Sequence, residues 1–330
     1  MIRRALCAAL AVACAAAASA GEGLPILGGI YAFSVEAGAG AGFLQMTETA
    51  FAGAGGADAI SELEGGTGFA VSAGAAVRFG QVPSSRRIGA RADAGFAARL
   101  PSSGGYMRDG DWDENGALIA YGEMGGFSGP GFSAEARAGA FFPLGVAFGV
   151  TAGFGARYSW DMMQAYGGWT DIAPVWGGMQ DAQREYLHGV SVEYSQEWFA
   201  AYPYIALEAV FGGWRLEASG ALSPLVRGSH IDRHFFRKMD WNDQDQMYIY
   251  FLDKTAGGLY WSAGLEASRA FGGSLYLSAF ALAQGVRGSR GGSAAGSAGF
   301  SRIELYDEDS AGAGMASFAA GLKAGVWIWR

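Results

Sequence analysis

Ile88-Gly89-Ala90-Arg91-Ala92-Asp93-Ala94-Gly95-Phe96 is the stretch on which the fold turns. Every second residue is apolar, and Gly, Arg and Asp fill the positions between. Period two marks an extended strand, because successive side chains leave opposite faces. The same alternation returns in Phe132-Ser133-Ala134-Glu135-Ala136-Arg137-Ala138-Gly139, in Trp214-Arg215-Leu216-Glu217-Ala218-Ser219 and in Leu259-Tyr260-Trp261-Ser262-Ala263-Gly264-Leu265-Glu266. Helix-period patterns are hard to find. A soluble sandwich hides its apolar face, whereas a membrane barrel turns that face to lipid and its polar face to the lumen. Alternation alone does not separate the two.

The connections do. Strands are expected near 30–45, 67–80, 87–100, 131–141, 146–160, 190–211, 213–228, 257–271, 273–288 and 313–328. Short turns are expected at Gln81 to Arg86, Phe142 to Gly145, Gly212-Gly213 and Gly272-Gly273, where Gly and Pro suit tight reversals. Long connections are expected near 46–66, 101–130, 161–189, 229–256 and 289–312. Short and long alternate without a break, as in an even-stranded outer-membrane barrel. The fold class expected is all-β: a ten-stranded antiparallel transmembrane β-barrel with long extracellular loops gathered at one rim. The run from Gly285 to Gly299 is Gly/Ser/Ala-rich and reads as mobile.

The N-terminus agrees. Arg3 and Arg4 precede an apolar stretch from Ala5 to Ala15, and Ala18-Ser19-Ala20 has the form of a cleavage site before Gly21. Residues 1–20 therefore read as a signal peptide and 21–330 as one barrel domain in the outer membrane. Cys7 and Cys14, the two cysteines, lie in the leader, so the mature chain offers no disulfide or thiolate. Charged residues make up 16%, below the roughly 25% of soluble domains. The mature part has no apolar run of about 18 residues, which argues against a helical membrane protein. Loss of Arg3 and Arg4 takes the net charge from −8 to −10, which argues against nucleic acid as a partner.

Two pairs of residues could carry chemistry. Asp109 and Asp111, in Arg108-Asp109-Gly110-Asp111-Trp112, are two apart and share a face in extended chain. Close carboxylates repel, so one of them should hold a proton and could act as an acid. Asp232 and His234, in His230-Ile231-Asp232-Arg233-His234, are also two apart, and a carboxylate beside an imidazole makes a general base. Each motif alone is more often a solvated loop. Their weight comes from falling on the same rim. Metal binding is the competing reading, although only one imidazole is well placed. Arg157, Glu193 and Glu208 are expected in lumen charge networks, and Trp160, Trp169, Trp176, Trp198 and Trp241 in an interface girdle or loop packing. His188 reads as structural, and Asp307-Glu308-Asp309 as a solvated loop tip.

At these residues the chain resembles the omptins, outer-membrane aspartyl-type proteases built as ten-stranded barrels. Asp109-x-Asp111-Trp112 looks like the family's paired aspartates, and Asp232-x-His234 like its Asp-His pair. Ala152 to Trp160 with Ala165-Tyr166-Gly167-Gly168 is similar to a stretch of the family's fifth strand. Gly189 to Gln196 with Pro203-Tyr204-Ile205-Ala206-Leu207 is similar to its next strand. Gly42-Phe43-Leu44 with Glu48-Thr49-Ala50-Phe51 looks like the stretch bearing an acidic specificity residue, here Glu48.

The resemblance implies a monomeric endopeptidase acting on polypeptides at the cell surface, with outer-membrane lipid around it. Catalysis would use Asp109, Asp111, Asp232 and His234, and substrate binding Glu48 and His230. It implies no metal and no cofactor. Basic residues for lipopolysaccharide do not match, so a lipopolysaccharide requirement rests on the family alone. Two departures stand out. Asp113 to Gly131 is shorter and Gly-rich where the family has a Trp-Thr-Asp-x-Ser-x-His-Pro stretch. His230 stands where the family has a second pocket acid, and a half-protonated imidazole there would repel Arg or Lys. These departures motivate an alternative, a catalytically inactive omptin-fold barrel acting as an adhesin or receptor. A small porin is the third reading.

Overall fold

The computed structural model describes residues 31–51, 59–67, 70–81, 88–113, 115–174, 178–235, 248–271, 274–297, 300–305 and 310–329. The expected signal peptide, Trp176, Trp241 and Asp307-Glu308-Asp309 lie outside them. The described chain is almost wholly strand. In order these are β1 (Tyr31–Phe51), β2 (Ala59–Gly66), β3 (Ala70–Gln81), β4 (Gly89–Arg99), β5 (Ser102–Trp112), β6 (Leu118–Pro143), β7 (Phe148–Ile172) and β8 (Gln183–Tyr186). There follow β9 (Val190–Phe211), β10 (Trp214–Ser223), β11 (Val226–His234), β12 (Ile249–Ala256), β13 (Leu259–Phe271), β14 (Leu275–Ser297), β15 (Phe300–Leu305) and β16 (Ala311–Trp329).

Antiparallel pairing closes the sheet twice. The lower ring runs β1–β3–β4–β6–β7–β9–β10–β13–β14–β16 and returns to β1. The upper ring replaces β3 and β4 by β2 and β5, and β10 and β13 by β11 and β12. Each ring holds ten strands. The changeovers sit where a ladder hydrogen bond fails. Pro101 and Pro224 have no N–H to donate, and Gly257-Gly258 takes positive φ of 72° and 81°. Gly212-Gly213, with φ of 55° and 81°, makes the expected tight turn between β9 and β10.

The strands run much further than the sequence reading had them. Most of 101–130, 161–189, 229–256 and 289–312, expected as loops, is ladder. Both aspartate-bearing motifs lie on strands, because a neighbouring strand is present on each side to take their backbone groups. Gly285 to Ser297 belongs to β14 and is held in register against β12 and β16. Its small residues serve close approach: a Cβ on Gly291 would stand 1.9 Å from the Lys254 carbonyl.

Side-chain alternation then sorts the surfaces. Phe154, Leu265, Leu322 and Phe43 are exposed on the outer wall, as in a lipid-facing belt. Phe43, Val71, Leu222, Leu225 and Leu259 form its upper margin. The lower lumen is filled by charge. Arg91 Nη2 bonds both Glu217 oxygens at 2.9 Å, Arg78 Nε meets Asp93 at 2.7 Å, and Lys323 Nζ reaches Glu36 and Glu266 at 2.9 Å each. Glu208 and Arg157 join this network as expected, bonding Arg215 and Glu135. Glu193 does not, because it points outward and pairs with Arg233. Above the charges lies an apolar layer of Met46, Met107, Met124, Met163 and Met315, all buried.

Candidate active site

Above the methionine layer, rows of inward side chains face one another across the barrel. On one wall, register aligns Glu48 of β1, Leu63 of β2 and Asp109 of β5. On the other, it aligns Gln196 of β9, His230 of β11 and Asp253 of β12, with Asp232 and His234 further along β11. Gln196 spans the gap. Its Nε2 donates to the Thr47 carbonyl at 2.9 Å and the Gly314 carbonyl at 3.1 Å, and its Oε1 accepts from Trp198 Nε1 at 2.9 Å. The upper barrel is thus narrow enough for opposite walls to touch.

The two chemical pairs meet there. His234 Nε2 is hydrogen-bonded to Asp232 Oδ2. The other ring nitrogen, Nδ1, lies 3.9 Å from Asp109 Oδ2 on the opposite wall. All three residues are buried. Asp111 follows Asp109 on the same inward face, half-buried and closer to the strand end. The 3.9 Å gap exceeds a hydrogen bond. A water about 2.8 Å from each atom would touch both. Phe251 meets the His234 ring edge-on at 5.9 Å between centroids and limits its rotation. The Asp232 carboxylate accepts, so Nε2 carries the ring proton and Nδ1 offers a lone pair toward Asp109.

Glu48 and His230 sit beside this pair. The Glu48 carboxyl is pushed well up by burial and by its neighbours Asp253, Asp232 and Asp109. His230 is 1% exposed, bonds Thr255 Oγ1 through Nε2 at 2.9 Å, and lies against Trp198 with centroids 4.6 Å apart. Burial lowers its pKa to about 3, so the ring is neutral. The sequence reading gave it a half-protonated, repelling ring. The apolar cover supplied by Trp198 removes that charge. Trp198 itself, expected in a girdle or loop, turns inward and walls the site. His188 stays exposed.

Asp253 is the residue that the sequence reading missed. It stands directly opposite His230 in the ladder and is 4% exposed. Burial first, then Asp232, raises its carboxyl to about 6. A sequence signal existed: Ile249-Tyr250-Phe251-Leu252 is a strand-forming run, and Asp253 is two residues beyond Phe251 on its inward face. Among the described residues, no group of three or more His, Cys, Asp or Glu is arranged to hold a metal ion.

Comparison with known proteins places the fold. The model of the omptin family matches residues 81–324. No curated protein matches in sequence. Among solved structures, the outer membrane protease OmpT from Escherichia coli superposes with a TM-score of 0.77 at 15% identity, covering 90% of this chain and 97% of that one. The translocator domain of the autotransporter NalP from Neisseria meningitidis gives a TM-score of 0.33 at 14% identity, covering 97% and 96%. The outer membrane protein OprG from Pseudomonas aeruginosa gives 0.28 at 6%, covering 92% and 99%. A ten-stranded ring with an outward apolar belt, matched by the family model across most of its length, makes this chain a member of the omptin family, with the fold of an outer-membrane protease.

Proposed function

We propose that the chain is an outer-membrane endopeptidase that hydrolyses peptide bonds with an activated water. One observation carries the reading: His234 is held between Asp232, bonded to Nε2, and Asp109, 3.9 Å from Nδ1. A water in that gap gives a proton to Nδ1 as its oxygen attacks the scissile carbonyl carbon. Asp232 stabilises the imidazolium that forms. Asp109 and Asp111 orient the water and, when one is protonated, donate to the tetrahedral oxyanion. His234 then returns its proton to the departing amide nitrogen, leaving a carboxylate and an amine. No covalent intermediate is required, because water is the nucleophile.

Export by residues 1–20 would bring the upper ring to the cell surface, where polypeptides are the substrates. A single barrel carries all four proposed catalytic residues, so a monomer suffices. The test is a peptide library offered to barrel refolded in detergent, with and without lipopolysaccharide. Cleavage is expected in the wild type and loss of at least about 10³-fold in His234→Ala. Activity unchanged from wild type in both Asp232→Ala and His234→Ala would remove the mechanism. Saturable binding of a surface protein without any cleavage would favour the adhesin reading.

A further inference from the structure

We propose that the free edge of β8 (Gln183–Tyr186) is a docking strand: an extended substrate polypeptide adds to it antiparallel, through main-chain hydrogen bonds. The inference rests on the endopeptidase reading for the nature of the guest, and on the following observations for where and how it binds.

β8 takes the place of β9 at the top of β7. Val190 faces Tyr166 as the uppermost pair of β9 on β7, and Tyr186 faces Trp169 as the lowest pair of β8. One bond gives the phase of the β8 ladder: Leu187 N donates to the Gly168 carbonyl at 3.0 Å. Leu187 stands opposite Gly168 in this register, so the hydrogen-bonded pairs above it are Glu185 with Thr170 and Gln183 with Ile172. Arg184 and Tyr186 then turn their N–H and C=O groups away from β7. Among the described residues no strand receives them, and all four residues of β8 are exposed.

Sheet edges are ordinarily guarded by charge or by proline. β8 has no proline, and its cation is turned back. Arg184 forks onto Asp171 of β7 at 2.7 and 2.6 Å and lies over the Trp169 ring at 3.7 Å. These contacts hold the strand in its paired form before a guest arrives, so less ordering is left to the encounter. The edge also stands above the candidate site. Val192 faces His234 on one side and Ala165 on the other, and Trp169 is four residues beyond Ala165, roughly 13 Å at strand rise. A polypeptide with its scissile bond between His234 and Asp109 therefore reaches β8 with residues roughly four to seven away. β8 descends toward β9, so an antiparallel guest climbs, and the paired residues are those that follow the scissile bond.

The experiment uses Arg184→Pro, which removes one outward N–H at an edge position where a strand tolerates proline. Arg184→Ala is the control, since it loses the same side chain and keeps the N–H. Both are checked for barrel folding by heat-modifiable gel migration. The substrates are a cleaved peptide with about eight residues after the scissile bond and the same peptide cut back to about two. On the long peptide Arg184→Pro should raise KM about fivefold or more above Arg184→Ala, with kcat nearly unchanged. On the short peptide the two variants should agree. Equal KM for both variants on the long peptide overturns the docking strand, and so does an equal rise on the short one.

A second measurement does not depend on turnover. The long peptide, or a library member of that length where none is cleaved, is titrated calorimetrically into His234→Ala carrying either Arg184→Ala or Arg184→Pro. Saturable binding that is about fivefold weaker with the proline supports the docking strand. No binding to either, or equal binding to both, overturns it. Sedimentation of the barrel in detergent reports the other occupant: a dimer that Arg184→Pro separates would assign the edge to a second copy and overturn the proposal. A barrel that binds the peptide through β8 yet cleaves nothing would keep the docking strand and discard the protease. Cleavage indifferent to Arg184→Pro would do the reverse.

Discussion

His234 and Asp109 face each other across the upper barrel with Nδ1 and Oδ2 3.9 Å apart, while Asp232 holds the far nitrogen of the same ring. One imidazole thus touches both of the pairs, two residues apart, that the sequence offers. The arrangement assigns unequal roles to the acids. Asp232 sets the tautomer, and Asp109 sets the place of the water.

That inequality is testable. Asp232→Asn keeps the shape but can present an amide N–H to Nε2, which then has to accept and moves the ring proton to Nδ1. The base is lost with the site intact. A fall in kcat of roughly 10³–10⁴ with KM little changed is expected, by analogy with tautomer-reversing changes at other His-carboxylate pairs. Asp109→Asn keeps a polar group for the water and should cost less. Steady-state kinetics on one cleaved peptide checks both, and a larger loss in Asp109→Asn would reverse the assignment.

Gln196 ties the walls whose spacing the site depends on. Removing it takes one donor from the Thr47 carbonyl, which keeps the Tyr194 hydroxyl, takes another from the Gly314 carbonyl, and leaves the indole N–H of Trp198 without its acceptor. Gln196→Ala should destabilise the refolded barrel by about 2–4 kcal/mol, read as a lower urea midpoint. It should also lower kcat, because Glu48 adjoins Thr47 and moves with it. A variant with unchanged midpoint and unchanged kcat would show that the tie carries no load.

Much of this was legible in the residues. Ile88 to Phe96 alternates because it stands between lipid and lumen, and Gly212-Gly213 turns because both residues take positive φ. The two i, i+2 pairs were visible because extended chain puts them on one face. Their setting was not visible. Arg108 to Trp112 has the composition of a turn, and only the ladder partners on β2 and β6 make it a strand. The same tertiary override hid Asp253, whose burial depends on walls distant in sequence. The neutrality of His230 was hidden too, because it follows from Trp198 and Thr255 on neighbouring strands.

The porin reading is addressed by the lumen. Arg78, Arg91, Asp93 and Glu217 are buried and mutually paired across it, and the methionine layer lies above them. Planar-bilayer recordings should therefore show no steady conductance. The two barriers are independent, so Arg91→Ala with Glu217→Ala should remain closed. Combining that change with Met46→Ser, Met107→Ser and Met163→Ser should admit water and ions. Steady conductance in the wild type would contradict the packing.

Asp253 makes a pH-dependent claim whose sign can be worked out. Its ordinary carboxyl value is 3.8, and in the fold it rises to about 6. The folded protein therefore holds the proton more tightly than the unfolded chain does. Its favourable contribution is complete below about pH 4 and is lost as the pH rises through about 6. Above that the bare carboxylate burdens the fold, by on the order of 1–3 kcal/mol. Asp253→Asn should then be more stable than wild type at pH 8, with the gap closing toward pH 4. His230 has the opposite sense: it is lowered to about 3 and costs stability as the pH falls below 6.5. That acid-side loss is common to both proteins and cancels in the difference. Urea midpoints of both proteins from pH 4 to 8 supply the comparison. A gap that is constant with pH, or that widens on acidification, would show that Asp253 is not the strained acid described here. The expected result is a residue that lowers stability at neutral pH.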